Sequence, residues 1–139
     1  MTSHWVGSWS ATPAPAEGVG LTAATVRMFP RLSIGGDTIR VRLSNAHGKG
    51  DLIIAATHVA LRASGPTFRP GTGQYATFNG ARQVKIPAGA FAVSDPLSMT
   101  VAPLADLAVS LHLPKEVPAS FGVTGRYARQ FNHTSELNV

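Results

Sequence analysis

The sequence predicts an all-β protein, a single β-sandwich or jelly-roll-like domain of about 8–10 short antiparallel strands. Polar and apolar residues alternate over 38–45, with Ile39, Val41 and Leu43 on one face and Arg40, Arg42 and Ser44 on the other. That period of two belongs to a half-buried strand. The alternation returns near the end, where Leu107, Val109, Leu111 and Leu113 point inward and Ala108, Ser110 and His112 outward. Turn residues punctuate the chain between these runs, at Gly35-Gly36-Asp37, Gly48 to Asp51, Asn79-Gly80 and Pro87-Ala88-Gly89.

Taken in order, residues 1–24 contain Pro13, Pro15, Gly18 and Gly20 and are expected to form an extended arm whose tryptophans, Trp5 and Trp9, dock onto the body. Residues 25–131 form the sandwich and 132–139 a frayed linker or tail. Residues 25–34 read as the first strand, with Pro30 confining it to an edge or a bulge because proline donates no ladder hydrogen bond. Gly35-Gly36-Asp37 then predicts a tight hairpin, since glycine accepts the positive φ of hairpin turns. Gly48-Lys49-Gly50-Asp51 predicts a second hairpin, leading into one strand over 52–62, where Ile53, Ile54, Thr57 and Val59 favour strand over helix. Residues 64–73 read as a loop, 75–78 and 82–86 as a short hairpin around Asn79-Gly80, and 91–93, 97–101 and 107–113 as the remaining strands. A last strand is expected over 124–131.

A chain of 139 residues with 44% hydrophobic and 14% charged residues is long enough for one packed domain. It is too short for a β-domain plus an α/β hydrolase domain. No run reaches the roughly 18 apolar residues of a membrane-spanning helix. The first residues lack a basic, then apolar, leader. The absence of cysteine excludes a disulfide framework and thiol chemistry. The net charge of +5 comes from arginines dispersed on strands (Arg40, Arg42) and in loops (Arg62, Arg69, Arg82). Tracking a phosphate backbone needs a clustered stripe with interleaved aromatics, so no nucleic-acid partner is expected.

Hydrolytic chemistry of the Ser-His-Asp kind needs a nucleophile, a base and an oxyanion hole. The residues three places after Asp37, Asp51, Asp95 and Asp106 are Arg40, Ile54, Ser98 and Val109, so no Asp-x-x-His block exists, and no Gly-Asp-Ser block exists either. The histidines His4, His47, His58, His112 and His133 lack zinc-site spacing. Neither a metal nor a cofactor is expected. Gly71-Thr72-Gly73 lacks the strand-to-helix setting of a phosphate loop. His58 and His112 read as strand-face residues, whereas His47, following Ser44-Asn45 in a loop, is placed to face a ligand or a neighbouring domain. Trp5, Trp9, Tyr75 and Tyr127 are candidates for a sugar-stacking platform, the alternative being packing anchors.

The ordered set Trp5-Val6-Gly7-Ser8-Trp9, Ile39-Arg40-Val41-Arg42-Leu43-Ser44-Asn45-Ala46-His47-Gly48, Pro87-Ala88-Gly89-Ala90, Ser94-Asp95-Pro96-Leu97, Leu107 to Pro114 and Thr124-Gly125-Arg126-Tyr127 resembles the N-terminal β-domain of bacterial SGNH/GDSL-type esterases. The resemblance implies a β-sandwich leading into an α/β/α domain that hydrolyses carboxylic esters of carbohydrates, lipids or related compounds. It also implies that this chain, without the catalytic blocks, is an accessory domain that does not turn over ester by itself. Its partner is then an SGNH catalytic domain, in cis or in trans, or a second copy of the chain. Trp5, Trp9, Asn45, His47, Tyr127 and Phe131 are the expected ligand or domain-interface residues. A free-standing carbohydrate-binding module, with a carbohydrate or acyl-ester ligand, is the alternative. Relatives of this kind carry a leader, which favours export over a cytoplasmic location.

Overall fold

The computed structural model describes residues 5–10, 24–114 and 137–138. The strands are β1 (Ala24–Met28), β2 (Gly36–Ile39), β3 (Arg42–Ser44), β4 (Leu52–Ile54), β5 (Ala56–Leu61), β6 (Gln74–Ala76), β7 (Val84–Ile86), β8 (Phe91–Val93), β9 (Leu97–Val101), β10 (Leu107–Leu113) and β11 (Leu137–Asn138). All pairings are antiparallel. The fold is an all-β sandwich, as the alternation predicts.

One layer has the order β1-β10-β5-β6. The other is assembled from β11-β3-β8, β2-β9 and β4-β7. Strands β2 and β3 face β9 and β8 as one interrupted ribbon. At the interruption Val41 donates its N–H to Ser94 Oγ at 2.9 Å, and Ser94 returns its own N–H to the Val41 carbonyl at 2.8 Å. The ladder breaks beside Pro96, which has no N–H to give, and the Ser94 hydroxyl satisfies the buried amide that would otherwise be orphaned.

The core lies between the layers. Met28, Leu32, Ile54, Ile86 and Leu107 are its largest fully buried apolar side chains, each contributing about 1.5–3 kcal/mol by leaving water. Val109 and Leu111 of β10 face inward opposite Val59 and Thr57 of β5. On the outward face only His112 is exposed. Ala108 and Ser110 are buried, because Arg27 and the chain after β5 lie against this face: Arg27 donates Nε to Ser110 Oγ at 2.8 Å and Nη1 to the Pro66 carbonyl at 2.7 Å.

The connections differ from the expected hairpins. Strand β1 ends before Pro30, and β1 pairs with β10 while β2 pairs with β9. Residues 30–32 carry the chain between layers along 104–107, with Leu107 N–H on the Pro30 carbonyl at 3.0 Å and Leu32 N–H on the Ala105 carbonyl at 2.9 Å. Gly35-Gly36 is therefore not a hairpin turn, and neither glycine has a positive φ. Gly35 is required for close approach: a Cβ there would run into the Val101 carbonyl oxygen and Pro103 Cδ. Likewise Gly48 to Asp51 does not close a hairpin, since β3 pairs with β8 and β4 with β7. The expected strand over 52–62 is two strands that change layer at Ala55, whose N–H is held by the His112 carbonyl at 2.9 Å. Small residues suit such a corner.

The expected hairpin of 75–78 with 82–86 does not form, since β6 pairs with β5 and β7 with β4, and only a Phe78–Ala81 bridge spans the turn. Two turns themselves form as expected. Asn79 (φ 51°) and Gly80 (φ 84°) are both left-handed, the geometry of a two-residue hairpin turn that Asn-Gly favours. Gly89 (φ 79°) closes the turn after Pro87, with Ala90 N–H on the Pro87 carbonyl at 3.0 Å. The expected strand over 124–131 lies outside the described residues. Leu137 and Asn138, placed by sequence in a tail, pair with Leu43 and Arg42 of β3.

Candidate functional site

The candidate site is a cleft of about 810 Å³ between the N-terminal segment 5–10 and the β2–β3 ribbon, with Leu32, Ile34, Val93 and Val101 completing its walls. The sequence places the segment here through its serine. Ser8 donates Oγ–H to the Ile34 carbonyl at 2.8 Å, and its own carbonyl accepts Ser33 N–H at 2.9 Å and Ser33 Oγ–H at 2.8 Å. These bonds hold the flanking tryptophans against the sandwich. Trp9 packs partly buried on the core. Trp5 stays 50% exposed at the cleft.

The walls are unusually apolar for an exposed surface. Large hydrophobic side chains left in water among the described residues are Trp5, Val6, Ile34, Tyr75, Phe91, Val93 and Leu104. Trp5, Val6, Ile34 and Val93 line this one cleft. Phe91 stands beside it, two residues before Val93 on the same face of β8. Apolar side chains gathered in this way, rather than scattered singly, mark an interaction surface.

Two guanidinium groups stand among them. Alternation along 38–45 puts Arg40 and Arg42 on the same side as the cleft, where both contribute to its lining. Arg40 Cζ lies 4.2 Å from the Trp5 ring centroid and Arg42 Cζ 3.8 Å from that of Phe91, so each cation sits over the face of an aromatic ring. Ion pairs among the described residues are Arg31–Asp106, Arg62–Asp106 and Lys85–Asp51. Neither cleft arginine takes part in one, and Arg40 Nε is buried with no hydrogen-bond partner among the described residues. The Arg40 charge helps lower the Asp95 pKa, after the hydrogen bonds from Gly80, Thr77 and Asn79. Both Asp95 oxygens are engaged by those three donors. Asp37 is the one carboxylate on the described lining.

The other candidate residues from sequence are placed as follows. Asn45 is 0% exposed. Its Nδ2 donates to the Gly50 and Ile86 carbonyls, each at 2.9 Å, and its backbone carbonyl accepts Gly48 N–H and Gly89 N–H. It ties three loops together and does not line the cleft. His47 is exposed in the neighbouring turn, also outside the cleft lining. Tyr127 and Phe131 lie outside the described residues. Sequence reasoning missed Ile34, Val93 and Arg40 as a group, because only the β2–β9 and β3–β8 pairings bring them together.

A second cluster crosses the outer face of the four-stranded layer, where the register sets Arg27, Ser110, His58 and Tyr75 in one row. The His58 ring sits 5.1 Å from both Phe68 and Tyr75 centroids. Burial, with the nearby Arg27 charge, lowers its pKa, so it is neutral at pH 7. Arg82 stacks on Tyr75 at 4.0 Å. With Ser110 Oγ bonded by Arg27 and His58 held between rings, this row is cross-strand packing.

Among the described residues no group of His, Asp and Glu is placed to hold a metal ion, and no helix is long and apolar enough to cross a membrane. No protein-family model matches the chain, and none of the curated proteins searched matches it.

Proposed function

We propose that this chain is a non-catalytic β-sandwich module that docks on the catalytic domain of an SGNH/GDSL-type carboxylic ester hydrolase, supporting or shaping that domain's site. The observation that carries the reading is the concentration of exposed apolar side chains at one cleft, with Trp5, Val6, Ile34 and Val93 in its walls. Their burial against a partner removes apolar area from water, the general driving force of association. The esterase identity of the partner is supported by the ordered motifs from Trp5 to Tyr127.

A carbohydrate ligand is the weaker reading for this cleft. Sugar rings stack on free aromatic faces, but Arg40 covers one face of Trp5 and Trp9 packs on the core. The remaining walls, Ile34 and Val93, are aliphatic and suit protein side chains better.

The test is sedimentation velocity of the pure chain, alone and mixed with an SGNH catalytic domain encoded in the same genome, beside an assay with p-nitrophenyl butyrate. A complex that Trp5→Ser weakens, with no turnover by the chain alone, is the expected result. Turnover abolished by substituting a serine of this chain, or sedimentation of the two chains as separate species, refutes the proposal. Heat from binding a plain or acetylated polysaccharide would move the assignment to the carbohydrate class.

A further inference from the structure

Resting on the docking reading, we infer that the cleft takes a carboxylate from an acidic side chain of the partner protein, an Asp or Glu flanked by apolar residues, held between Arg40 and Arg42.

Three features carry this. The two guanidinium groups lie over the Trp5 and Phe91 rings, with Cζ 4.2 and 3.8 Å from the ring centroids, and neither takes part in an ion pair among the described residues. A guanidinium edge matches a carboxylate in a fork of two hydrogen bonds. The Arg40 Nε–H is buried without an acceptor among the described residues, and a buried donor left unmade is costly enough that native structures normally supply one. The charge balance runs the same way, with Asp37 alone against two arginines on the described lining. The aliphatic neighbours decide the source of the carboxylate. Ile34 and Val93, both exposed, offer nothing to the hydroxyls of an acidic sugar, whereas they match the apolar rim of a protein surface.

The probes are two tripeptides, Ac-Leu-Glu-Leu-NH2 and Ac-Leu-Gln-Leu-NH2, followed through the Arg Nε–Hε cross-peaks of the whole chain by NMR. The expected result is saturable movement of the Arg40 and Arg42 signals by the Glu peptide, with at least tenfold weaker binding of the Gln peptide, a difference of about 1.4 kcal/mol. Arg40→Gln should remove the response. Arg40→Lys, which keeps the charge and loses the fork, should retain part of it, and an unchanged amide spectrum elsewhere shows that either variant is folded.

The inference is overturned by equal binding of the two peptides, or by no movement at about 50 mM of either, a range that covers weak side-chain contacts. It is overturned too by glucuronate binding more tightly than the Glu peptide. Glu17, Glu116 and Glu136 lie outside the described residues, and a shift of the free-state Arg signals in the Glu17→Gln, Glu116→Gln, Glu136→Gln variant would assign the carboxylate to this chain itself. Docking of the catalytic domain with unmoved Arg signals would remove the carboxylate anchor alone. Peptide binding without docking would remove the esterase partner alone.

Discussion

The Asp95 carboxylate accepts the Gly80 amide hydrogen at 2.8 Å, so a residue at the start of the β8–β9 connection holds shut a hairpin turn that lies 15 positions away in sequence. The same carboxylate accepts Asn79 N–H at 3.2 Å and Thr77 Oγ–H at 2.7 Å, while the Asp95 amide donates to the Thr77 carbonyl at 2.7 Å. The Asn79-Gly80 turn is thus specified locally by its residues and fixed globally by one carboxylate.

That arrangement gives a pH dependence of known sign. The Gly80 amide and the Thr77 hydroxyl hold the Asp95 pKa below its ordinary value. A group whose folded pKa is lowered adds stability above its unfolded pKa, about 3.9, and loses it as pH falls through the folded value. Asp95→Asn should therefore lower Tm at pH 7, and its deficit against the wild type should shrink below about pH 4. A deficit that stays constant from pH 7 to pH 2 would refute the role of the charge.

Asn45 carries a larger cost. Asn45→Ala leaves the buried Ile86 carbonyl without its Nδ2 donor and also removes the bond to Gly50, a loss of about 2–4 kcal/mol in urea unfolding. Asn45→Asp should cost more at pH 7, because it sets a carboxylate against two carbonyl oxygens, and should recover in part as acid protonates it. Equal stability of wild type and either variant would show that the amide is not the tie between these loops.

Gly35→Ala and Gly73→Ala test close approach at two different neighbours. At Gly35 the obstacle is the Val101 backbone, and at Gly73 it is the His58 ring, held between Phe68 and Tyr75. Each substitution should cost about 1–3 kcal/mol. The Gly73→Ala penalty should fall sharply in a His58→Ala background, whereas the Gly35→Ala penalty should not change in it. Thermal or urea unfolding of the three single and two double variants decides this.

Leu104 is left-handed, with φ 64°, and 68% exposed. A leucine in that region costs roughly 1–2 kcal/mol, and here little burial offsets it. Leu104→Gly should raise stability by about 1 kcal/mol after the entropy of the freer unfolded chain is subtracted. A loss of stability would mean that Leu104 is packed in solution.

The two tryptophans should separate. Trp9→Ala, at the core edge, should destabilise by about 3 kcal/mol. Trp5→Ala, half exposed, should leave urea unfolding within about 0.5 kcal/mol of the wild type.

The sequence by itself determined the all-β class, the inward faces of the 38–45 stretch and of β10, and the Asn79-Gly80 and Pro87 to Gly89 turns, because period-two alternation and positive-φ turn chemistry are local properties. It also marked Trp5 and Trp9, and set Arg40 and Arg42 on one strand face without assigning them a partner. Only the tertiary structure decided which strand pairs with which. Gly35-Gly36 reads locally as a hairpin turn, yet the chain has already crossed between layers at 30–32 and enters β2 there, and Gly35 serves a contact with Val101, 66 positions away. Asn45 reads as a loop-side polar residue and is instead the buried tie between 50, 86 and 89. The cleft exists because β2 pairs with β9 and β3 with β8, which sets Ile34, Arg42 and Val93 beside the segment that Ser8 fastens. Strand pairing at this distance is chosen by burial of the whole core, and no local window of sequence contains that sum.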